Sequence, residues 1–321
     1  VELAELLASL HPWAEHARFC RTGGEAMAVA VRIARAHARR DRVAICGYHG
    51  WSDWYLAANL PDRQSENAAA VDRLDGHLLP GLDPRGVPHG LAGTALPFAY
   101  NRLDQLAEIV ARHGDQLAAV VMEPLRTTDP EPGFLAGVRE LCNQCGAALV
   151  FDEITSGWRF ALGGAHLLDD VEPDMAVFAK ALGNGHPIAA IIGRAEIMEA
   201  AQQSFISSTY WTEAVGPAAA LAAIRKMQQI DVPAHVDRIG NLFRSGLEEV
   251  ASRHGVLITI TGRGALLHVA FDHPEAAAIG TLYTTQFLDR GFLAGGSFYP
   301  SLAHTDRHVE TFLTAAEQVL A

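Results

Sequence analysis

The chain has 321 residues, 49% of them hydrophobic, and a formal net charge of -12. That length is enough for one large domain plus a smaller lobe, and the composition favours a large buried core over disorder. The acidic balance argues against non-specific binding to nucleic acid or to an anionic membrane surface, and no apolar run is long enough to span a bilayer.

The opening VELAELLASLHPWAEH carries acidic residues and no basic stretch, so no secretory leader is expected. Val1–Leu10 reads as an amphipathic helix with Leu3, Leu6, Leu7 and Leu10 on one face. A short apolar run, Ala17–Cys20, leads into the turn Thr22-Gly23-Gly24. A helix follows from Glu25 to about Arg40, with Met27, Val31 and Ala34 among its buried positions, and then a strand, Arg42–Cys46. The Pro-, Gly- and Asp-rich stretch 62–93 reads as a long functional loop.

From Leu103 onward the pattern is regular. Helix Leu103–Arg112 precedes strand Ala118–Met122, and helix Leu135–Cys145 precedes strand Ala147–Phe151. Strands Met175–Phe178 and Ile188–Ile192 follow. Short apolar strands alternating with helices predict an α/β domain with a mostly parallel sheet, in which functional residues gather at the carboxyl ends of strands. Two helices, Thr212–Gln228 and Val232–His254, lead to strands Leu257–Thr261 and Ala265–Phe271 and to closing helices Pro274–Arg290 and Asp306–Leu320. The expected division is a large α/β domain over 1–228 and a small α+β domain over 229–321.

Cys142 and Cys145 form a CxxC within one helix. With no second CxxC and no nearby His pair, they read as ordinary thiols, and the fifteen histidines lack metal-ligand spacing, so no metal is expected. Four cysteines make no disulfide framework, and the cytoplasm is the expected compartment.

Four short segments carry the chemistry. Thr22-Gly23-Gly24-Glu25 lies between a strand and a helix, where backbone N–H groups can cradle a phosphate; an ordinary helix start fits as well. Tyr48-His49-Gly50-Trp51 follows a strand end, where an aromatic can stack on a flat heterocycle or simply pack at a domain edge. Asp152 and Glu153 directly follow a buried strand, as a partner for a protonated ring nitrogen, a base, a metal ligand or a cap. Lys180 stands after an apolar strand and before Gly183-Asn184-Gly185. Most lysines are solvated, but apolar neighbours on both sides predict a partly desolvated amine, usable as nucleophile and base. Jointly, in this chain order, the four describe one pyridoxal phosphate (PLP) site.

The stretches RFCRTGGEAMAVAVRIARA, GYHGW, VVMEP, LVFDEITSGWR and FAKALGNGHPIAAIIG resemble, in order, those of the class III aminotransferases of PLP fold type I. DEITSGWR is closer to the glutamate-1-semialdehyde aminomutase branch than to the ornithine-type branch, which usually has Gln where Thr155 stands. The resemblance implies pyridoxal 5'-phosphate held by Gly23 and Gly24 at its phosphate, Tyr48 and Ile154 on opposite ring faces, Asp152 at the ring nitrogen, and Lys180 as Schiff-base lysine and proton shuttle. It implies that Thr212 reaches the phosphate of a neighbouring subunit in a homodimer, with Ser208 and Thr209 as nearby competitors, and that Glu123 stands behind the site or is structural. A hydroxyl residue often occupies the position of Gly24 in the family. Other members carry a segment ahead of the region matching Val1, which helps form their substrate pocket.

The implied function is transfer of an amino group between an amino compound and a keto acid or aldehyde. The alternatives are an intramolecular aminomutase using the same residues, and a PLP-binding chain with an incomplete pocket. Arg126, Arg159 and Arg263 are candidates for a substrate carboxylate, though each also suits a structural role, and Trp51, Trp54, Trp158 and Trp211 are candidate pocket walls.

Overall fold

The structure is a computed structural model and describes residues 1–60, 82–125 and 127–321. The loop expected over 62–93 lies outside the described residues up to 81, and so does Arg126. The chain forms two compact units. One comprises Val1–Pro124, Pro130–Gly157 and Gly163–Lys226, and the other Leu125–Asp129, Trp158–Leu162 and Met227–Ala321.

The first unit opens with α1 (Glu2–Leu10), β1 (His16–Cys20), α2 (Gly23–Ala38), β2 (Arg42–Cys46), α3 (Asp53–Leu56) and β3 (Ala95–Pro97). It continues with α4 (Leu103–His113), β4 (Leu117–Met122), α5 (Phe134–Cys145), β5 (Ala148–Asp152), β6 (Met175–Phe178) and β7 (Ala189–Gly193). Two short helices, α6 (Ala195–Met198) and α7 (Ala200–Gln203), precede α8 (Val215–Gln229).

Seven strands make one sheet in the order β1-β7-β6-β5-β4-β2-β3. Pairing is parallel from β6 to β3, and β7 runs antiparallel to both of its neighbours. The mostly parallel sheet follows from strands that are apolar on both faces. Alternation along each strand then feeds two cores. Ala119, Val121, Val150 and Val177 join a cluster with Met27, Ala30 and Ala34 of α2. Their neighbours Val120, Met122, Leu149 and Phe151 join a second cluster with Leu106 of α4 and Val138 of α5.

Among the helix starts that differ from the sequence reading, those of α2 and α8 have a local reason. The Thr22 hydroxyl accepts the Glu25 N–H, so α2 begins at Gly23 and both glycines lie in its first turn. The expected helix from Thr212 begins instead at Val215; Thr209–Thr212 is a 3-10 turn, started by the Ser208 hydroxyl accepting the Tyr210 N–H.

The second unit contains α9 (Val232–Arg253), β8 (Ile258–Thr261), β9 (Leu267–Phe271), α10 (Ala276–Leu288), β10 (Ser297–Phe298) and α11 (Asp306–Val319). Its three strands form an antiparallel sheet in the order β10-β9-β8. Asp231 caps α9 by accepting the Ala234 N–H. The core is aromatic: the rings of Phe287 and Phe312 stack with centroids 4.5 Å apart, within a cluster that includes Phe243, Leu247, Leu267 and Tyr283. No described helix is long and apolar enough to cross a membrane.

Candidate active site

Parallel strands place their carboxyl ends along one edge of the sheet. Cys46 ends β2, Met122 ends β4, Asp152 ends β5 and Phe178 ends β6, so the segments after them emerge at that edge. Strand order thus puts 47–51, 123–124, 152–157 and 179–185 side by side, although they are scattered through the sequence.

Asp152 is 2% exposed, and its carboxylate is fixed from two sides. Oδ1 accepts the Ile154 N–H at 3.0 Å, and Oδ2 lies 2.7 Å from Nδ1 of His49. The other His49 nitrogen, Nε2, lies 3.1 Å from the Cys46 carbonyl, which can only accept, so Nε2 carries a proton. Trp54 stacks on the His49 ring at 6.2 Å. His49 therefore orients Asp152 against the end of β2. The sequence reading quoted it within the aromatic stretch without giving it a task.

Lys180 is exposed, contrary to the desolvation its apolar neighbours predicted. Those neighbours belong to the buried strand β6 and to Leu182, while Lys180 lies beyond the strand end in the left-handed region, at φ 45. A non-glycine residue held there stores backbone strain, as residues at functional sites often do. Nζ donates to the Thr155 hydroxyl at 2.9 Å, in the loop that begins with Asp152.

The phosphate-type turn joins the same region. A Cβ on Gly23 would come within 2.8 Å of Ile154 Cδ1, so any larger residue there would have to push that side chain aside. Gly24 lies against Gly50, whose φ is 103 and where an added Cβ would stand 3.4 Å from the Gly24 Cα. As the first two residues of a helix, Gly23 and Gly24 have N–H groups with no intrahelical acceptor, and a Cβ on Gly24 would meet nothing within 4 Å.

Four contacts therefore join the four sequence segments: His49 with Asp152, Lys180 with Thr155, Gly23 with Ile154, and Gly24 with Gly50. Tyr48 sits at this edge, partly exposed, its ring edge-on to Tyr55 at 5.9 Å. Its backbone N–H donates to buried Glu123 at 3.3 Å, so Glu123 supports the turn that carries Tyr48. Thr212 is not among the residues these contacts join; it is exposed at the end of its 3-10 turn.

Of the other candidates, Arg263 pairs with Asp129 at 2.8 Å and Arg159 lies over the Tyr299 ring, both within the second unit. Trp158 is buried in that unit, Trp54 is buried beside His49, Trp51 is 77% exposed, and Trp211 packs under Arg18. Cys142 is buried and Cys145 half-buried on α5 as free thiols. Among the described residues no group of His, Cys, Asp or Glu could hold a metal ion.

These residues fit pyridoxal 5'-phosphate. Two of about four lone-pair sites on Asp152 are used, leaving room for a ring N–H. The Gly23 and Gly24 amides lie at a helix N-terminus and have no intrahelical acceptor, which suits a phosphate, and an exposed amine on the neighbouring strand end suits an aldehyde.

The family model described as aminotransferase class-III matches residues 1–320. The chain is 31% identical to the 3-aminobutyryl-CoA aminotransferase of Cloacimonas acidaminovorans, over 99% of this chain and 74% of that protein. It is 33% identical to the glutamate-1-semialdehyde 2,1-aminomutase of Desulforudis audaxviator, over 99% of this chain and 76% of that one. Its fold is similar to the FumI protein of Sphingopyxis sp. MTA144, solved in its PLP internal aldimine form. The TM-score is 0.87 at 26% identity, covering 100% of this chain and 74% of that one.

Proposed function

Since the chain belongs to the class III aminotransferases, we propose that it moves an amino group between a small amino compound and a keto acid or aldehyde, with Lys180 as the residue bonded to the cofactor. The cofactor is pyridoxal 5'-phosphate, which supplies an electron sink next to the carbon bearing the amino group. Lys180 holds it through Nζ. With the cofactor bound and an amine substrate in place, Nζ would act as the base that takes a proton from the substrate carbon and as the acid that gives it back. The Thr155 hydroxyl, 2.9 Å from Nζ, keeps that amine aimed between proton transfers. Asp152, held rigid by His49 and Ile154, keeps a proton on the ring nitrogen. Gly23 and Gly24 bind phosphate through their N–H groups, Tyr48 stacks on one ring face and Ile154 packs on the other.

Thr212 is assigned to the phosphate of a second subunit, which makes the protein a homodimer. Support comes from Tyr48, Trp51, Phe205 and Trp211, all large, exposed and in the unit that carries Thr212. The reading includes a cytoplasmic location, in keeping with four free thiols.

The observation that carries this reading is the set of four contacts that joins four sequence-distant segments at one sheet edge. The test is spectroscopic. Adding pyridoxal 5'-phosphate should produce a visible absorbance band that changes when a suitable amine is added, and a panel of amine donors with keto acids or aldehydes identifies the pair. No band, or a band that no amine changes, would favour the catalytically incomplete alternative.

One observation favours a second reading, the intramolecular aminomutase. Thr155, which holds Nζ, stands where the ornithine-type branch usually has Gln. Turnover without any second carbonyl compound would establish it.

A further inference from the structure

The loop 152–156 supplies Asp152, Ile154 and Thr155 to the site. Its two remaining residues, Glu153 and Ser156, are buried and bonded elsewhere. Glu153 is 0% exposed. Its Oε1 accepts both the backbone N–H of His166, at 2.7 Å, and Nδ1 of that ring, at 2.8 Å. Its Oε2 accepts the Ser156 hydroxyl.

The state of His166 follows from its other neighbour. The Trp13 indole N–H can only donate, and it meets Nε2 of His166 at 3.3 Å. Nε2 is therefore an acceptor, and the ring proton sits on Nδ1, facing Glu153. The ring is neutral. His11 stacks on it at 5.5 Å, donates through Nδ1 to the Leu7 carbonyl, and is held below the usual histidine range chiefly by burial. Among the described residues around the loop, Asp152 is bonded to His49, whose two ring nitrogens both face acceptors, and Lys180 is bonded to Thr155. Burial alone would push the Glu153 carboxyl up, but the hydrogen bonds it accepts from the His166 ring and backbone and from Ser156 outweigh it and hold the carboxyl below its ordinary range. The outcome is a buried carboxylate satisfied by neutral donors, one residue from Asp152.

We propose that Glu153 is a positioning residue of the site: its carboxylate fixes the loop 152–156, and its charge, met by neutral donors, favours a proton on the ring nitrogen that Asp152 receives. The proposal rests on the cofactor reading above only for its second half. A buried negative charge stabilises a nearby cation, so removing it lowers the pH at which that cation loses its proton.

The test has a part without cofactor and a part with it. Long-range proton–nitrogen NMR of the unmodified, cofactor-free chain should show His166 neutral at neutral pH, with its proton on Nδ1. In the loaded protein, Glu153→Gln should lower the pH midpoint of the cofactor's visible absorbance by about one unit and raise the cofactor Kd by roughly 10- to 100-fold. Ser156→Ala keeps the charge and removes one donor; it should raise Kd by a few-fold at about the level of one neutral hydrogen bond and leave the midpoint in place. A doubly protonated His166 at neutral pH would overturn the proposal, as would a Glu153→Gln variant with unchanged midpoint and Kd. If Glu153→Gln does not fold, Ser156→Ala decides: a moved midpoint with the charge still present contradicts the proposal. An unmodified chain that binds no cofactor would instead defeat the reading of the site, a failure the His166 measurement keeps separate.

Discussion

The two ends of the seven-stranded sheet use polar groups in opposite ways. At the amino end, Arg40 donates to the carbonyls of Gly114, Leu117 and Cys145 at 3.3, 3.0 and 2.7 Å. There Asp174 accepts from Arg139 and from the Leu149 N–H, at 2.8 and 2.7 Å. These bonds tie loop to loop at the back of the sheet. At the carboxyl end the bonds orient groups that retain capacity for something else: an exposed amine on Lys180, lone pairs on Asp152 and two helix-start amides. The polar bonds at the amino end stabilise the fold. Those at the carboxyl end orient the groups of the proposed site, and backbone strain at Lys180 accompanies them.

Substitutions at the two ends should separate these roles. The largest effect on turnover short of removing Lys180 itself is expected for Asp152→Asn. It keeps the shape but not the charge, and kcat/KM should fall by about 10²- to 10³-fold with unfolding by urea little changed. Arg40→Ala should do the reverse. It leaves three carbonyls without their charged donor and should lower stability by about 2–3 kcal/mol in urea unfolding, with cofactor Kd unaltered. An Arg40→Ala chain that lost cofactor affinity while staying folded would erase the distinction.

Gly23→Ala sharpens it. Helix propensity alone favours Ala by about 1 kcal/mol, but the new Cβ would press on Ile154 Cδ1 at 2.8 Å. The steric term should win at the site, raising cofactor Kd roughly tenfold while overall stability changes by less than about 1 kcal/mol.

The smallest effect concerns pH. Folded His11 binds its proton less readily than unfolded His11, chiefly through burial. Between its folded pKa and the ordinary value of 6.5 the unfolded chain holds more protons, so His11 costs stability as pH falls below that value and nothing above it. Urea midpoints at about pH 7.5 and about pH 5.5 should show this loss, and His11→Phe should reduce the difference between them.

Much of this was legible in the sequence because buried parallel strands are written as short apolar runs. β4, β5 and β6 fall where those runs are, and their order places Asp152 and Lys180 at one edge. Less visible were elements set by a partner. β3 is three residues with a Pro, and β10 is two residues defined by pairing with β9. His49 carried no spacing signal because its partner Asp152 is 103 residues away. The Glu153–His166 pair, 13 residues apart, is made by a loop that returns to the site with no periodic pattern to mark it, while the α2 start was open to reading from Thr22 and Glu25, a Thr-x-x-Glu signature. The exposure of Lys180 was misjudged because apolar neighbours in sequence describe the strand before it, not the turn it occupies.

The most direct test uses the chain's small lysine content. Lys180 and Lys226 are its only two lysines, and Lys226 is exposed on α8. Treating the protein with pyridoxal 5'-phosphate, reducing with borohydride and mapping the peptides reads out which amine holds the cofactor. The account predicts one cofactor per chain, on the peptide containing Lys180, and none in Lys180→Ala. Labelling at Lys226 or the N-terminal amine instead, or equal labelling in Lys180→Ala, would contradict it.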